Sequence, residues 1–368
     1  MYHQITLEEF LFSKDTKTYV NENTTNTRTY AMENVPEKFM NSVNIDRLIG
    51  RLHAFNESTA YLRKEKRSDL YYSFHIPKRS GGLRRIDAPN DDLMTALRLL
   101  KSIFENDFKA LYHTSAFAYV KGRSTLDAVK RHQANESKWF GKYDLSNFFG
   151  STTLDYVMHM FSMVFPFSEV IKNKYGEAEL RTALDLCFLN GGLPQGTPIS
   201  PLITNIMMIP VDYKLANAFR DFNKQRYIYT RYADDFTISS KYSFNFREVE
   251  KLIVDTLAEF GAPFTIKSEK TRYGSSAGRN WNLGVMLNKD NQITVGHQRK
   301  REFQAMLSSF ILDTVNGKPW PVEDVRTMEG LRNYYIMVEG DTIRGIVDHI
   351  SRKYNVDVVR MIKNVIRA

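Results

Sequence analysis

Two periodicities alternate along this chain. Apolar residues at helical spacing, Leu93, Ala96, Leu97, Leu100, Ile103 and Phe104, predict a helix over residues 91–108. Before it, Phe39, Val43, Ile45, Leu48, Ile49, Leu52, Ala54 and Tyr61 predict one or two helices between Pro36 and Arg67. Residues 1–12 suit a short helix, and the Asn- and Thr-rich residues 13–35 read as a polar arm or linker. Alternating aromatics over 71–76, then Gly81-Gly82 and a second apolar segment to Pro89, spell a hairpin. Ser124 is placed to cap a helix running towards His132. Residues 152–190 read as mainly helical, and Pro201 suits the first turn of a helix through Leu202, Ile206, Met207, Val211 and Leu215.

Strand alternation returns at Ile228, Thr230 and Tyr232, with a turn predicted at Asp234-Asp235. A covering helix over 246–260 and a strand leading into a loop over 264–271 follow. Residues 281–287 and 292–295 form a further hairpin pattern. From His297 onward the pattern is helical and basic, and 347–366 repeats that character. No internal repeat is visible.

Composition narrows the class. The 368 residues are long enough for two or three packed lobes, and 42% hydrophobic with 13% aromatic content marks a globular protein. A formal charge of +9 favours a polyanionic partner. The greasiest stretch, 158–167, is short and interrupted by Pro166, so no membrane span is expected, and Glu8, Glu9 and Asp15 argue against a signal peptide. The single Cys187 excludes an intramolecular disulfide and a cysteine-based zinc cluster. A cytoplasmic, nucleic-acid-facing protein is the expectation.

Four stretches carry candidate chemistry. In Tyr232-Ala233-Asp234-Asp235 two carboxylates meet at a hairpin turn, the only place where adjacent strand residues converge. Alone, such a pair is most simply a solvated turn. Lys142-Tyr143-Asp144-Leu145-Ser146-Asn147-Phe148-Phe149 reads as a strand delivering one aspartate at its end, which alone is most simply a cap. Lys78, Arg79, Arg84 and Arg85 crowd the 71–89 hairpin, which is either a solvated basic turn or a tip whose cations neutralise phosphates while Gly81 and Gly82 let the backbone come close. Three glycines and three prolines in residues 190–201 fix a backbone path that presents Gln195 to a planar ligand, or else a rigid connector.

Together and in this order, these pieces resemble reverse transcriptases, over roughly residues 70–300. Asp144 in Asp-Leu-Ser-Asn-Phe-Phe is similar to the first palm motif. Leu193-Pro194-Gln195-Gly196 with Pro198-Ile199-Ser200-Pro201 is similar to the template and nucleotide loop, and Tyr232-Ala233-Asp234-Asp235 to the catalytic hairpin. Glu269-Lys270-Thr271 resembles the next palm motif and Leu283-Gly284 the start of the primer grip.

The resemblance implies an α+β right-hand polymerase: an N-terminal extension with helices (1–70), fingers (71–140), a palm of antiparallel sheet backed by helices (141–295) and a short helical thumb (296–368). It implies RNA-directed DNA synthesis by two-metal phosphoryl transfer with Mg²⁺, for which Mn²⁺ is a substitute. Asp144 and Asp234 are expected to bridge the ions with the Leu145 carbonyl, and Asp235 to be the more peripheral ligand. Lys78 and Arg84 are expected to hold the incoming triphosphate, and Gln195 and Gly196 to line the nucleotide pocket. Lys270, with Lys267 as its rival, is the candidate to protonate the leaving pyrophosphate. Phe149 stands where reverse transcriptases place a bulky aromatic against a ribose 2′-hydroxyl. RNA-templated RNA polymerases typically have a small or acidic residue there and a glycine before their Asp-Asp, so Phe149 and Ala233 favour deoxynucleotides.

The expected partners are dNTPs, a cognate structured non-coding RNA and the DNA product, with accessory defence proteins or a second copy of the chain as further candidates. The length leaves no room for an appended RNase H, integrase or endonuclease and resembles bacterial enzymes. Asp127-Ala128-Val129-Lys130-Arg131-His132 stands where retron enzymes carry Asn-Ala-x-x-His, and Asn282-Leu283-Gly284 replaces their Val-Thr-Gly. These departures favour a defence-associated, antiphage enzyme over a retron. Template-independent or protein-primed DNA synthesis, and a catalytically silent RNA-binding module, are the competing readings.

Overall fold

The computed structural model describes residues 35–78, 81–276 and 281–367. The expected N-terminal helix, nearly all of the polar arm, and Arg79 lie outside these residues. Helices α1 (Glu37–Met40) and α2 (Ile45–Ser58) come first, and the Asn44 side chain caps α2 by accepting from the Arg47 amide. α2 buries Leu48, Ile49 and Leu52 of the expected stripe, and Phe55 rather than the expected Ala54, which is exposed. Strands β1 (Tyr71–Pro77) and β2 (Leu83–Pro89) pair antiparallel as the expected hairpin. Helix α3 (Asp91–Ile103) buries Leu93, Ala96, Leu97, Leu100 and Ile103 at the expected three- and four-residue spacing and closes in a π turn over Phe104–Phe108, which buries Phe104. Helix α4 (Thr125–Ala134) opens on a capping box in which Ser124 and Asp127 satisfy each other's backbone amides. The Asp127 carboxylate thus does the same capping work that an asparagine side chain can do.

The central sheet holds four antiparallel strands: β3 (Trp139–Asp144), β4 (Ile228–Tyr232), β5 (Asp235–Ser240) and β6 (Arg272–Ser275), in the order β4-β5-β3-β6. Between β3 and β4 run α5 (Phe148–Ser151), α6 (Leu154–Phe161), α7 (Phe167–Lys172), α8 (Lys174–Asp185), α9 (Ser200–Met207) and α10 (Ile209–Ala218). The single helix expected after Pro201 is two helices. Pro210 has no amide to donate back into the preceding turn, and its ring crowds that turn, so the chain breaks at Met208. Helix α11 (Phe246–Glu259) packs against α10, and the buried Tyr143 hydroxyl donates to the Phe246 carbonyl at 2.8 Å. The strand expected to open the 264–271 stretch is instead a docked loop, continuous with the loop expected after it. It makes one bridge, Leu145 to Ile266, and the strand that completes the sheet is β6.

A smaller sheet of β7 (Trp281–Asn282), β8 (Val285–Leu287) and β9 (Ile293–Thr294) leads into α12 (His297–Val315), α13 (Val322–Tyr354) and α14 (Val358–Arg367). The continuous terminal amphipathic segment is broken at Asn355, which takes a left-handed φ of 54°. These helices have their own core around Phe303, Leu307, Phe310, Ile343 and Val347, separate from the large core beneath the central sheet. At Glu339, α13 leaves helical geometry (φ −136°, ψ 57°). The Glu339 carboxylate there accepts from the Thr294 hydroxyl and the Val295 amide at 2.8 Å and pairs with Lys300 at 2.9 Å, which ties the kink to β9. Among the described residues no helix is long and apolar enough to cross a membrane.

Helix α4 is fastened to the central sheet by His132, whose ring nitrogens meet the Ser239 hydroxyl at 2.6 Å and the Thr230 hydroxyl at 2.8 Å. Burial pushes His132 down to about 3, and burial likewise pushes His113 down to about 4. An unfolded histidine binds a proton near pH 6.5, so below that pH the unfolded chain takes up protons that the fold refuses. Stability therefore falls as pH drops from 7, by about 2 kcal/mol per histidine at pH 5. In a pH series of thermal melts, His132→Gln is expected to fall less steeply than the parent between pH 7 and 5. Equal slopes would contradict this account.

Candidate active site

The site forms where strand ends meet. β3 finishes on Asp144 and β5 begins on Asp235, and the antiparallel register sets these two residues opposite each other. Ala233 and Asp234 make the β4–β5 turn, with Ala233 in the left-handed region at φ 57°. The Leu145 amide then donates to the Asp234 carbonyl at 3.1 Å, binding the exit of β3 to the turn. The loop at 264–271 closes the other side: Ser146 donates from its amide to Thr265 at 2.7 Å and Lys267 to the Asp144 carbonyl at 2.8 Å. Both lysines of that loop reach the Asp144 carboxylate, Lys267 at 2.7 Å and Lys270 at 3.0 Å.

The electrostatics follow from this crowding. Burial raises the Asp144 carboxyl, but the hydrogen bonds from Lys267 and Lys270 outweigh it and hold the group below the usual range. Burial raises Asp234, and the charge of Asp144 adds to the rise against relief from a backbone hydrogen bond. Asp235 is pushed up to about 7, by burial first and then by Asp234 and Asp144. Neither Asp234 nor Asp235 has an ion-pair partner among the described residues. Two crowded carboxylates relieved only by the more distant charges of Lys267 and Lys270 are suited to a hard divalent cation. Among the described residues no three such groups already stand in ligating geometry, because Asp144 is turned onto the lysines. The Asp144 carboxylate, expected to share ions with Asp234, is here paired with Lys267 and Lys270.

The 190–201 loop is locked between this centre and the hairpin. A Cβ on Gly192 would lie 2.2 Å from the Gly150 carbonyl oxygen, and the Leu193 amide donates to Phe149 at 3.0 Å. On its other side the Asp87 amide of β2 donates to the Gln195 carbonyl at 2.7 Å. Gly196 has φ 123°, and a Cβ there would meet Ile86 at 2.8 Å and the Asp87 carbonyl at 2.9 Å. Gly196 therefore admits the hairpin, and the backbone of the loop is bonded to Phe149 on one side and to β2 on the other. The Phe149 ring sits edge-on to Phe148 at 5.6 Å.

Residues 76–303 match the family model described as Reverse transcriptase (RNA-dependent DNA polymerase). The chain belongs to the reverse transcriptase family. Among curated proteins it is similar to the Retron Ec73 reverse transcriptase of Escherichia coli, 28% identical over 274 residues, covering 70% of this chain and 83% of that protein. It is also similar to the Retron Ec83 reverse transcriptase of Escherichia coli, 28% identical over 318 residues, covering 82% and 92%. The Retron Mx65 reverse transcriptase of Myxococcus xanthus is 28% identical over 255 residues, covering 67% and 57%. The chain is thus an RNA-directed DNA polymerase, of a family that works with divalent metal ions.

In this reverse transcriptase the hairpin cations divide. Arg85 is engaged, donating to Asp87 at 2.8 Å and to the Ser73 hydroxyl at 3.1 Å, whereas Lys78 and Arg84 make no ion pair among the described residues. Lys78 is exposed at the end of β1, with its amide donating to the Gly82 carbonyl. Leu283 and Gly284, both at positive φ, turn β7 into β8, and the Arg299 guanidinium of α12 holds the Gly284 carbonyl.

Three site residues escaped the sequence reading. Tyr119, exposed and at φ 58°, lies within electrostatic reach of both Asp234 and Arg84. Arg231 and Asp212 are completely buried against each other directly behind the catalytic turn. The available signal was a pair of opposite charges, each at a position that faces apolar neighbours in its own element.

Proposed function

We propose that this reverse transcriptase copies a dedicated structured non-coding RNA into DNA as part of a bacterial antiphage system. The observation that carries the reading is the register placing Asp144 opposite Asp235 while the Leu145 amide holds the Asp234 turn. Its likeness to retron reverse transcriptases over most of their length supports the choice of template class. Asp144, Asp234, the Leu145 carbonyl and, more peripherally, Asp235 would hold Mg²⁺. When bound, the ions supply charge for the attacking and leaving oxygens of phosphoryl transfer.

Lys78 and Arg84, on a two-stranded ribbon and in no ion pair among the described residues, are assigned to the triphosphate. Gln195 and Gly196 line the nucleotide pocket against β2, and Phe149 faces the sugar. Lys270, about half exposed and contacting both Asp144 oxygens, is assigned as proton donor to the leaving pyrophosphate. Residues 71–140, 141–295 and 296–368 serve as fingers, palm and thumb, following 1–70. The basic helices α12–α14 are assigned to the nucleic-acid backbone.

The test is to purify the protein with its bound nucleic acid, sequence that material and supply labelled dNTPs with Mg²⁺. One enriched RNA with DNA growing along it is expected. Protein that co-purifies with no RNA and extends none would sink the proposal.

A further inference from the structure

Arg231 lies three residues before Asp234, on the face of β4 that points into the interior, and its side chain is 1% exposed. It meets Asp212 of α10, 0% exposed, through two contacts: Nε to Oδ1 at 2.8 Å and Nη2 to Oδ2 at 2.7 Å. The Tyr229 hydroxyl donates to the same Oδ1 at 2.7 Å. The remaining nitrogen, Nη1, donates to the carbonyl of Ala233 at 3.2 Å, inside the catalytic turn. The Arg231 backbone is bracketed too: its amide donates to Ser115 at 2.7 Å, and its carbonyl accepts from the Phe117 amide at 2.9 Å.

A buried ion pair is a poor device for stability, because desolvation consumes most of its attraction and an apolar pair of similar volume serves as well. Its fork geometry is the distinguishing feature. Two nitrogens are spent fixing the guanidinium on α10, and the third then reaches the carbonyl of a residue held in the left-handed region. Ala233 has a Cβ that disfavours this conformation, so the turn benefits from an external hold.

We infer that Arg231 and Asp212 are positioning residues, a strut that runs from α10 to the Ala233 carbonyl and sets the orientation of Asp234. The inference rests on the reading of Asp234 as a metal ligand. Neither residue touches substrate.

The test is the double variant Asp212→Leu/Arg231→Met, which replaces the pair by apolar side chains. It is expected to melt about 5 °C or less below the parent, since burial is conserved and the Tyr229 hydroxyl is the one donor of this cluster left without its acceptor. Hydrogen–deuterium exchange across residues 232–236 is expected to rise while exchange in α9 and α11 stays put. The kcat is expected to fall by about ten- to a hundredfold, with KM for dNTP within about threefold, as for a misplaced rather than missing group. A folded double variant with parental turn exchange and parental kcat overturns the strut. If the double variant does not fold, Arg231→Lys decides, because lysine keeps the charge but cannot make the fork and the third contact together. The same exchange and kcat changes support the strut, and parental values overturn it. Asp234→Asn in the otherwise unaltered enzyme separates the two readings. Should it stay active, the metal assignment fails, and the exchange data alone judge the strut.

Discussion

Replacing Asp234 by alanine is expected to lower RNA-templated dNTP incorporation by about 10³-fold or more, equivalent to at least ~4 kcal/mol of transition-state stabilisation. The carboxylate sits at the β4–β5 turn beside Asp144 and Asp235, without a cationic partner among the described residues. No direct ion pair holds its negative charge, and Lys267 and Lys270 relieve it only from a distance, so it is available to an ion that neutralises charge during transfer. The same crowding predicts that the loss is not one of folding. Burial and the Asp144 charge raise the Asp234 carboxyl, so removing it relieves repulsion, and the melting temperature should hold or rise. Asp144→Ala should lose activity equally but also melt lower, since it strips Lys267 and Lys270 of their shared partner. Single-nucleotide extension of a primed RNA, measured beside thermal melts, separates these outcomes. Asp234→Ala with near-parental extension would remove the carboxylate from the mechanism.

The second large effect concerns the sugar. Phe149→Ala is expected to reduce the ratio of kcat/KM for dNTP over rNTP by about 10²-fold, chiefly by admitting ribonucleotides. Phe149 is fixed on both sides. Its carbonyl accepts from Leu193 in the Gln195 loop, and its ring rests edge-on against Phe148, which in turn packs on Phe264. A ring so held can exclude a 2′-hydroxyl by sterics alone, because neither the loop nor the core behind it can yield cheaply. Truncation leaves that wall open while Asp144, Asp234 and Asp235 are untouched, so dNTP extension should persist. Competing dNTP and rNTP in one extension reaction gives the ratio directly. An unchanged ratio would assign sugar choice elsewhere.

Much of the fold was legible because it is local. The stripe through Leu93, Leu97 and Leu100, the Ser124 cap and the alternation at Ile228, Thr230 and Tyr232 each express backbone preferences within a few residues. Local patterns also misled. A run of apolar residues through Ile206 and Val211 reads as one helix, but Pro210 divides it. Phe264-Thr265-Ile266 has strand composition, yet the edge of β3 is already taken by β6 through the residues below Asp144, and 264–267 can only dock at the exit.

What the amino-acid sequence determined by itself was the chemistry on offer: two carboxylates at one turn, a third at a strand end, basic residues on a glycine hairpin, a proline-bound loop and an aromatic five residues past Asp144. Composition and turn geometry suffice for that, since each piece is set by its neighbours along the chain. Only the tertiary structure decided that Asp144 faces Asp235, that Lys267 and Lys270 both close on Asp144, and that Gly192 lies against Gly150. It alone joined Arg231 to Asp212 behind the turn. These contacts depend on strand register and on helices packing across the sheet. A change in either would leave every local pattern intact and scatter the site.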